Sequence, residues 1–176
     1  MIKNQGLPVV EESKETSDHT GILLELHYLP GLEYFALLNR YPHLILHDQE
    51  TFQKQTYRNR CYMRGPNKVQ MLSVPVTGST RRSGIREVTI NYAEKWHLEH
   101  LQTLRSAYGK APYFEYYFEY FEQILSKRTK YLWDLNRQML TLCLDLLNFG
   151  IKISESSCSP VNLEEVDNRY YGLINR

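Results

Sequence analysis

The sequence predicts an α/β fold: a mixed sheet of about four to six strands that starts with a βαβ unit, followed by a mainly helical C-terminal half. Three observations carry this reading. Two short apolar runs, residues 22–26 and 44–46, flank the stretch Leu32–Leu38, whose apolar spacing suits one short helix. Residues 53–64 then alternate in character with period two, as strands do. Beyond Asn91 the apolar residues recur at helical spacing almost to Gly150.

Taken in order, residues 1–20 are polar and mildly acidic without apolar periodicity, and read as a flexible leader to one domain over residues 21–176. Pro30-Gly31 ends the first strand, Pro42 halts the first helix, and the second strand closes on His47-Asp48. Strand, helix, strand in that order argues for a parallel pair. The alternation over 53–64 puts Lys54, Arg58 and Arg60 on one strand face and Asn59 on the other. Gly65-Pro66-Asn67 is a turn, 69–76 a strand with Pro75 near an edge, 77–84 a loop and 85–90 a further strand. Asn91 with Glu94 resembles a capping box for a helix whose inward stripe is Ala93, His97, Leu101, Leu104 and Tyr108. Gly109 ends it, and Pro112 suits the first turn of the next, which carries Phe114, Phe118, Phe121 and Leu125. A third helix from about Leu132 places Leu135, Met139, Leu142 and Leu146 on one side and Leu140, Cys143 and Leu147 beside it, an arc wide enough to predict burial on more than one face, and residues 151–153 add a strand.

Composition narrows the class. With 42% hydrophobic and 23% charged residues the chain is too apolar for a disordered protein. A net charge of +1 supplies no global field for nucleic acid or anionic membrane, so nucleic acid is not an expected partner and any anion site must be local. Three cysteines, Cys61, Cys143 and Cys158, share no metal-type spacing and fit reduced thiols, which points to the cytoplasm. The first residues lack a basic start followed by an apolar stretch, and the segment 140–147 is short and broken by Asp145, so neither export nor membrane insertion is expected.

Chemistry has two natural seats. Ligands of parallel sheets bind outside the carboxyl ends of strands, where His27 and Asp48 fall. A histidine oriented by a carboxylate suits general acid or base catalysis, whereas the plainer reading is two loop residues solvating strand ends. The second seat is the row Lys54, Arg58, Arg60: fixed cations about 7 Å apart for i and i+2 neighbours, set to hold a phosphate or carboxylate unless they line a solvated face. The loop with Arg81-Arg82 lacks Walker spacing and reads as a hairpin tip. Eight aromatics within residues 108–121 read as core. His97 and His100 lie three apart but without an HExxH pattern, so no metal is expected, and no Gly-rich loop calls for a cofactor.

Several segments together resemble the WbqC-like family of bacterial proteins. They are Leu26-His27-Tyr28-Leu29-Pro30 running into Glu33-Tyr34-Phe35, then Gln53-Lys54-Gln55-Thr56-Tyr57-Arg58-Asn59-Arg60 and Leu72-Ser73-Val74-Pro75-Val76. Trp96 with His100, Tyr108-Gly109-Lys110-Ala111-Pro112-Tyr113-Phe114 and Asp134-Leu135-Asn136 complete the set, in order, across residues 22–151. The resemblance adds Tyr28, Tyr34, Asn59, His100 and Lys110 to the site residues. Relatives open the first motif with Gln-Pro where this chain has Leu26-His27. They also run on past the equivalent of Asp167-Asn168-Arg169, where this chain stops at Arg176, so the domain is expected to be C-terminally shorter than the family.

The resemblance implies a part in surface-polysaccharide biosynthesis of the O-antigen type. Two functions stay open, and with them whether the protein is an enzyme. One is a transferase or tailoring enzyme that holds a nucleotide-sugar or other anionic small molecule on the cationic strand. The other is a non-catalytic binding or scaffold module that partners a pathway enzyme.

Overall fold

The computed structural model describes residues 20–65, 67–77, 83–158 and 166–168. The expected leader, apart from Thr20, and the tip of the 77–84 loop lie outside them. The first strand, β1 (Gly21–Leu24), is followed by a short helix α1 (Leu32–Leu38) and by β2 (His43–Leu46). β1 and β2 run parallel with Ile22 opposite Leu44 and Leu24 opposite Leu46, so the chain opens with the βαβ unit the sequence predicts. Every residue of β1 is buried, and so is the Leu-Ile-Leu run of β2. Such continuous apolar strands are what a sheet covered on both faces requires.

Between β2 and the helices lie an antiparallel hairpin, β3 (Arg60–Arg64) with β4 (Val69–Ser73), and a second short pair, β5 (Val76–Thr77) with β6 (Thr89–Ile90). The C-terminal half is helical: α2 (Trp96–Tyr108), α3 (Phe114–Ser126) and α4 (Leu132–Leu146). The chain then returns to the first sheet. β7 (Lys152–Glu155) pairs parallel with β2, and β8 (Val166–Asp167) pairs parallel with β1, giving the order β7-β2-β1-β8. Asp167 accepts a hydrogen bond of 2.5 Å from the Tyr41 hydroxyl, which ties β8 back to the segment before β2. One apolar core joins β1 and β2 (Ile22, Leu24, Leu44, Leu46) to the inner face of α4 (Leu135, Met139, Leu140, Leu144). Among the described residues no helix is long and apolar enough to cross a membrane.

Four local expectations are corrected. Residues 53–59 are turns rather than strand, and β3 begins only at Arg60. The turn is anchored in the interior: the Tyr57 carbonyl accepts from the Tyr28 N–H at 2.8 Å, and the Arg58 carbonyl accepts from Asn136 Nδ2 at 2.7 Å. Gln55 sits at φ 65, a left-handed conformation that no extended strand contains. The expected strand 85–90 starts as a 3-10 turn, Ile85–Glu87, and only Thr89–Ile90 pair. Helix α2 begins at Trp96, not near Asn91. The Asn91 side chain closes a local turn by accepting the Ala93 N–H at 2.8 Å, and the buried face becomes Trp96, His100 and Leu101. In α4 the inward face is rotated, so Leu144 is buried while Leu142 and Leu146 are only half-buried.

Candidate functional site

The carboxyl ends of the parallel strands carry a dense set of polar side chains, built by the loops that leave β1, β2 and β7. Beyond β1 the run continues Glu25, Leu26, His27, Tyr28, all buried. Glu25 does not face water. With Glu50 it clasps the guanidinium of Arg58: Nε donates to Glu50 Oε1 at 2.8 Å, one terminal nitrogen donates to Glu25 Oε1 at 3.2 Å and also meets Glu50 Oε2, and the other reaches Thr56 Oγ1 at 3.3 Å. All three charged residues are buried, Arg58 at 2% exposure. A buried guanidinium survives because its desolvation is offset by paired carboxylates in fork geometry.

This overturns the cationic strand face. Arg58 turns inward and its charge is taken by the protein's own acids. Lys54 is exposed on a turn, and Arg60 is half-buried at the start of β3. Asn59 is a structural link, its Nδ2 donating to the Val74 carbonyl at 3.1 Å. The three cations therefore form no row, because a strand with Arg58 beside Lys54 and Arg60 would leave Glu25 and Glu50 buried without a counter-charge.

His27 lies between two rings, 5.1 Å from Tyr34 and stacked at 5.5 Å on Tyr57. Burial, reinforced by the positive charge of Arg58, pushes its pKa down to about 3, so the imidazole is neutral at pH 7. Its Nε2 has no hydrogen-bond partner among the described residues. Tyr34 is wholly buried and donates to the Glu25 carbonyl at 3.0 Å. Asp48, at the end of β2, gives its carboxylate elsewhere. Ser156 Oγ donates at 2.8 Å and the Ser157 N–H at 2.9 Å, the Ser157 hydroxyl joins them, and Arg86 Nε donates at 2.8 Å. Burial alone would raise the Asp48 pKa, but those donors and the Arg86 charge hold it below the usual carboxylate range. Arg86 also pairs with Glu155 and lies over the Trp133 ring. The expected His27–Asp48 dyad is thus not formed: His27 belongs to the tyrosine cluster, Asp48 to a latch that joins β2 to β7 and to the 3-10 turn.

A different pair comes together. Tyr28, which only the family resemblance singles out, and His100 are bonded Oη to Nδ1 at 2.9 Å across 72 residues of sequence. Burial raises the Tyr28 pKa well above the ordinary phenol value, so its proton stays on and needs an acceptor. Burial pulls His100 down to about 4, against a smaller opposing pull from the Ser73 backbone, so the ring is neutral at pH 7. The arrangement that satisfies both groups has Tyr28 donating to Nδ1 and the ring proton on Nε2. Trp96 stands edge-on to His100 at 5.0 Å. His100 and Trp96 in turn floor an open groove of about 640 Å³ between the β3–β4 hairpin and α2, whose polar rim includes Gln70, Ser73, Glu94, Glu99, Thr103 and Lys68. That volume suits a small molecule. Lys110 lies apart from it, exposed in the link between α2 and α3.

Sequence reasoning missed Glu25 and Glu50 as partners of Arg58. One signal was present: Glu25 interrupts an otherwise apolar run, and an acid in a buried strand demands a buried cation. The groove itself left no local signal, since its two walls are separated by about a helix's length of chain. Among the described residues no three His, Cys, Asp or Glu side chains stand together as a metal site.

Comparison with known proteins places the chain in a wider group. It is 26% identical over 136 residues to the Mycobacterium tuberculosis protein named "Uncharacterized protein Rv1507c", an alignment covering 76% of this chain and 58% of that one. The chain therefore spans less than two thirds of that relative's length. No solved structure matches the chain. The family motifs that carry Tyr28, the Arg58 turn and His100 fall within residues 26–173, the span over which the sequence matches the WbqC-like protein family, and the chain belongs to that family.

Proposed function

We propose that this protein serves bacterial surface-polysaccharide biosynthesis as a binding module that holds a neutral, hydroxyl-rich sugar unit in the groove between the β3–β4 hairpin and α2. One observation carries the reading: the groove is floored by His100, which the buried Tyr28 hydroxyl holds from behind, and by Trp96, and it is rimmed by an amide, hydroxyls and carboxylates, side chains that exchange hydrogen bonds with sugar hydroxyls. Its charged rim residues are Glu94 and Glu99 against Lys68, an acidic balance that disfavours a diphosphate. The nucleotide-sugar transferase reading depended on a cationic row, and Arg58 is committed internally to Glu25 and Glu50. His100 is bonded on the Nδ1 side and held neutral, so it acts as a fixed element of the groove floor rather than as a proton shuttle at neutral pH.

Calorimetric titration with neutral oligosaccharide repeat units and, separately, with a nucleotide diphosphate-sugar tests this. Neutral sugars are expected to bind, and the double substitution Gln70→Ala, Thr103→Ala to weaken them about thirtyfold, as loss of two hydrogen bonds near 1 kcal/mol each implies. Binding that requires the diphosphate would restore the transferase reading, and no binding of neutral sugars would overturn the groove as a sugar site.

A further inference from the structure

Helix α3 is aromatic on two sides, and only one of them is used. Phe118 and Leu125 are buried, with Phe114 and Phe121 packed against the core, which leaves the opposite half of the helix to solvent. That outer half carries Tyr116, Tyr117 and Tyr120 at the spacing i, i+1, i+4, exposed at 61%, 42% and 36%, with Tyr113 at the helix cap beside them, exposed at 79%. The rings already touch one another: Tyr116 meets Tyr117 edge-on at 5.3 Å and Tyr120 at 5.6 Å. Single exposed tyrosines are ordinary, but a continuous stripe is an unpartnered surface, and a helix apolar around most of its circumference is normally covered.

The charge beside the stripe says what covers it. Glu115, Glu119 and Glu122 form an acidic flank beside the stripe, Glu119 one turn from Tyr116 at i, i+3, and the helix has no basic residue. The protein's net charge is only +1, so this acidity is local. The same helix shows what such a surface accepts. On its flank the guanidinium of Arg105 lies 4.6 Å over the Phe118 ring and 3.9 Å from Glu115. Flat cations that stack on a ring while facing a carboxylate suit this geometry better than compact ammonium groups.

We infer that the outer face of α3 is a docking surface for an arginine-rich segment of another protein, whose guanidinium groups stack on Tyr116 and Tyr120 and pair with Glu119. The site is separate from the groove and stands whether or not the groove binds sugar.

Fluorescence anisotropy with labelled nona-arginine and nona-lysine peptides tests it on the full chain. Nona-arginine is expected to bind more tightly than nona-lysine, more weakly as salt rises. The exposed pair Tyr116→Ser, Tyr120→Ser should weaken nona-arginine roughly tenfold, and Glu119→Gln should weaken it less and flatten the salt response. These side chains are on the surface, so unchanged thermal unfolding would show the variants folded. The inference is overturned if nona-arginine fails to bind, if the tyrosine variant binds it as well as the parent does, or if a neutral oligosaccharide occupies the stripe in its place.

Discussion

Arg58 and Arg86 each stand between two carboxylates at the same end of the parallel sheet, yet they do different work because water reaches only one of them. Arg58 is 2% exposed, its partners Glu25 and Glu50 are equally sealed, and the cluster sits under the turn 53–59. The Arg86 side chain is 45% exposed, and of its partners Asp48 is buried while Glu155 is partly open. A buried charge triad of this kind is costly to build and more costly to break, whereas a half-exposed pair is screened and contributes little. The inner cluster therefore fixes where the motif turn lies and with it Tyr28. The outer cluster pins the return strand β7.

Removing the inner cation tests the comparison most severely. Arg58→Met leaves two carboxylates buried against an apolar chain, and is expected to lower stability by about 3–5 kcal/mol in urea unfolding. Adding Glu25→Gln and Glu50→Gln to it should recover most of that loss, because the uncompensated charges go. A single substitution that costs less than about 1 kcal/mol would erase the distinction between the two arginines.

Acid sharpens the contrast by separating the groups in pH. His27 and His100 are neutral in the fold with pKa values near 3 and 4, against 6.5 when unfolded. Below about 6.5 the unfolded chain takes up protons that the folded one refuses, so stability is full above that pH and falls as the pH drops towards 4. Each histidine contributes up to about 1.4 kcal/mol per pH unit. Asp48 is depressed for a different cause, donors that hold its charged form, and its contribution has the same sign but a lower window: it persists at neutral pH and is lost only below the ordinary carboxylate range, as the pH falls through its lowered pKa. Urea midpoints measured from pH 7 to 4 should therefore decline with a slope that His27→Phe reduces and Asp48→Asn does not. A flat profile between 6.5 and 5 would show that these histidines are not neutral and buried together.

Much of the frame was legible because it rests on local patterns. The apolar runs of β1 and β2, the short helix between them, the three C-terminal helices and β7 all follow from periodicity and from Pro and Gly breaks. What was not legible depends on partners distant in sequence. The alternation at 53–64 failed because Arg58 answers Glu25, 33 residues earlier, and Glu50, and a period-two pattern contains no information about that demand. The dyad expected of His27 and Asp48 failed because Ser156 and Ser157, more than 100 residues on, claim the carboxylate. The aromatic run at 108–121 reads mostly as core with tyrosine hydroxyls at its boundary, yet its tyrosine half faces out, since spacing distinguishes two faces of a helix without saying how many neighbours cover them. Of the site residues, Tyr28 was reachable only through kinship, His100 stood out by spacing only as a partner of His97, and the meeting of Tyr28 with His100 is a property of the fold.

Tyr28→Phe probes the link between the inner cluster and the groove. It removes one hydroxyl, leaving the His100 Nδ1 acceptor buried without a donor, and is expected to lower stability by about 1–3 kcal/mol. Freed of that bond, the ring should also show altered tautomer populations by nitrogen-15 chemical shifts. Unchanged shifts would mean that the hydroxyl does not set the tautomer.

The smallest effect belongs to Arg86, and it completes the comparison from the other side. Arg86→Ala removes the bridge from Asp48 to Glu155 and the cover over Trp133, yet Asp48 keeps its bonds to Ser156 and Ser157. The cation is nearly half exposed, so water replaces it at the rim and screening has already weakened it, and the loss is expected to be about 1 kcal/mol or less. Because the pair is open to ions, the difference between parent and variant should shrink further as salt is raised from low to molar concentration, while the Arg58 difference should hardly move. If the salt dependence of the two variants were the same, burial would not be what separates these clusters, and the inner triad would have to be regarded as solvent-linked through the turn that covers it.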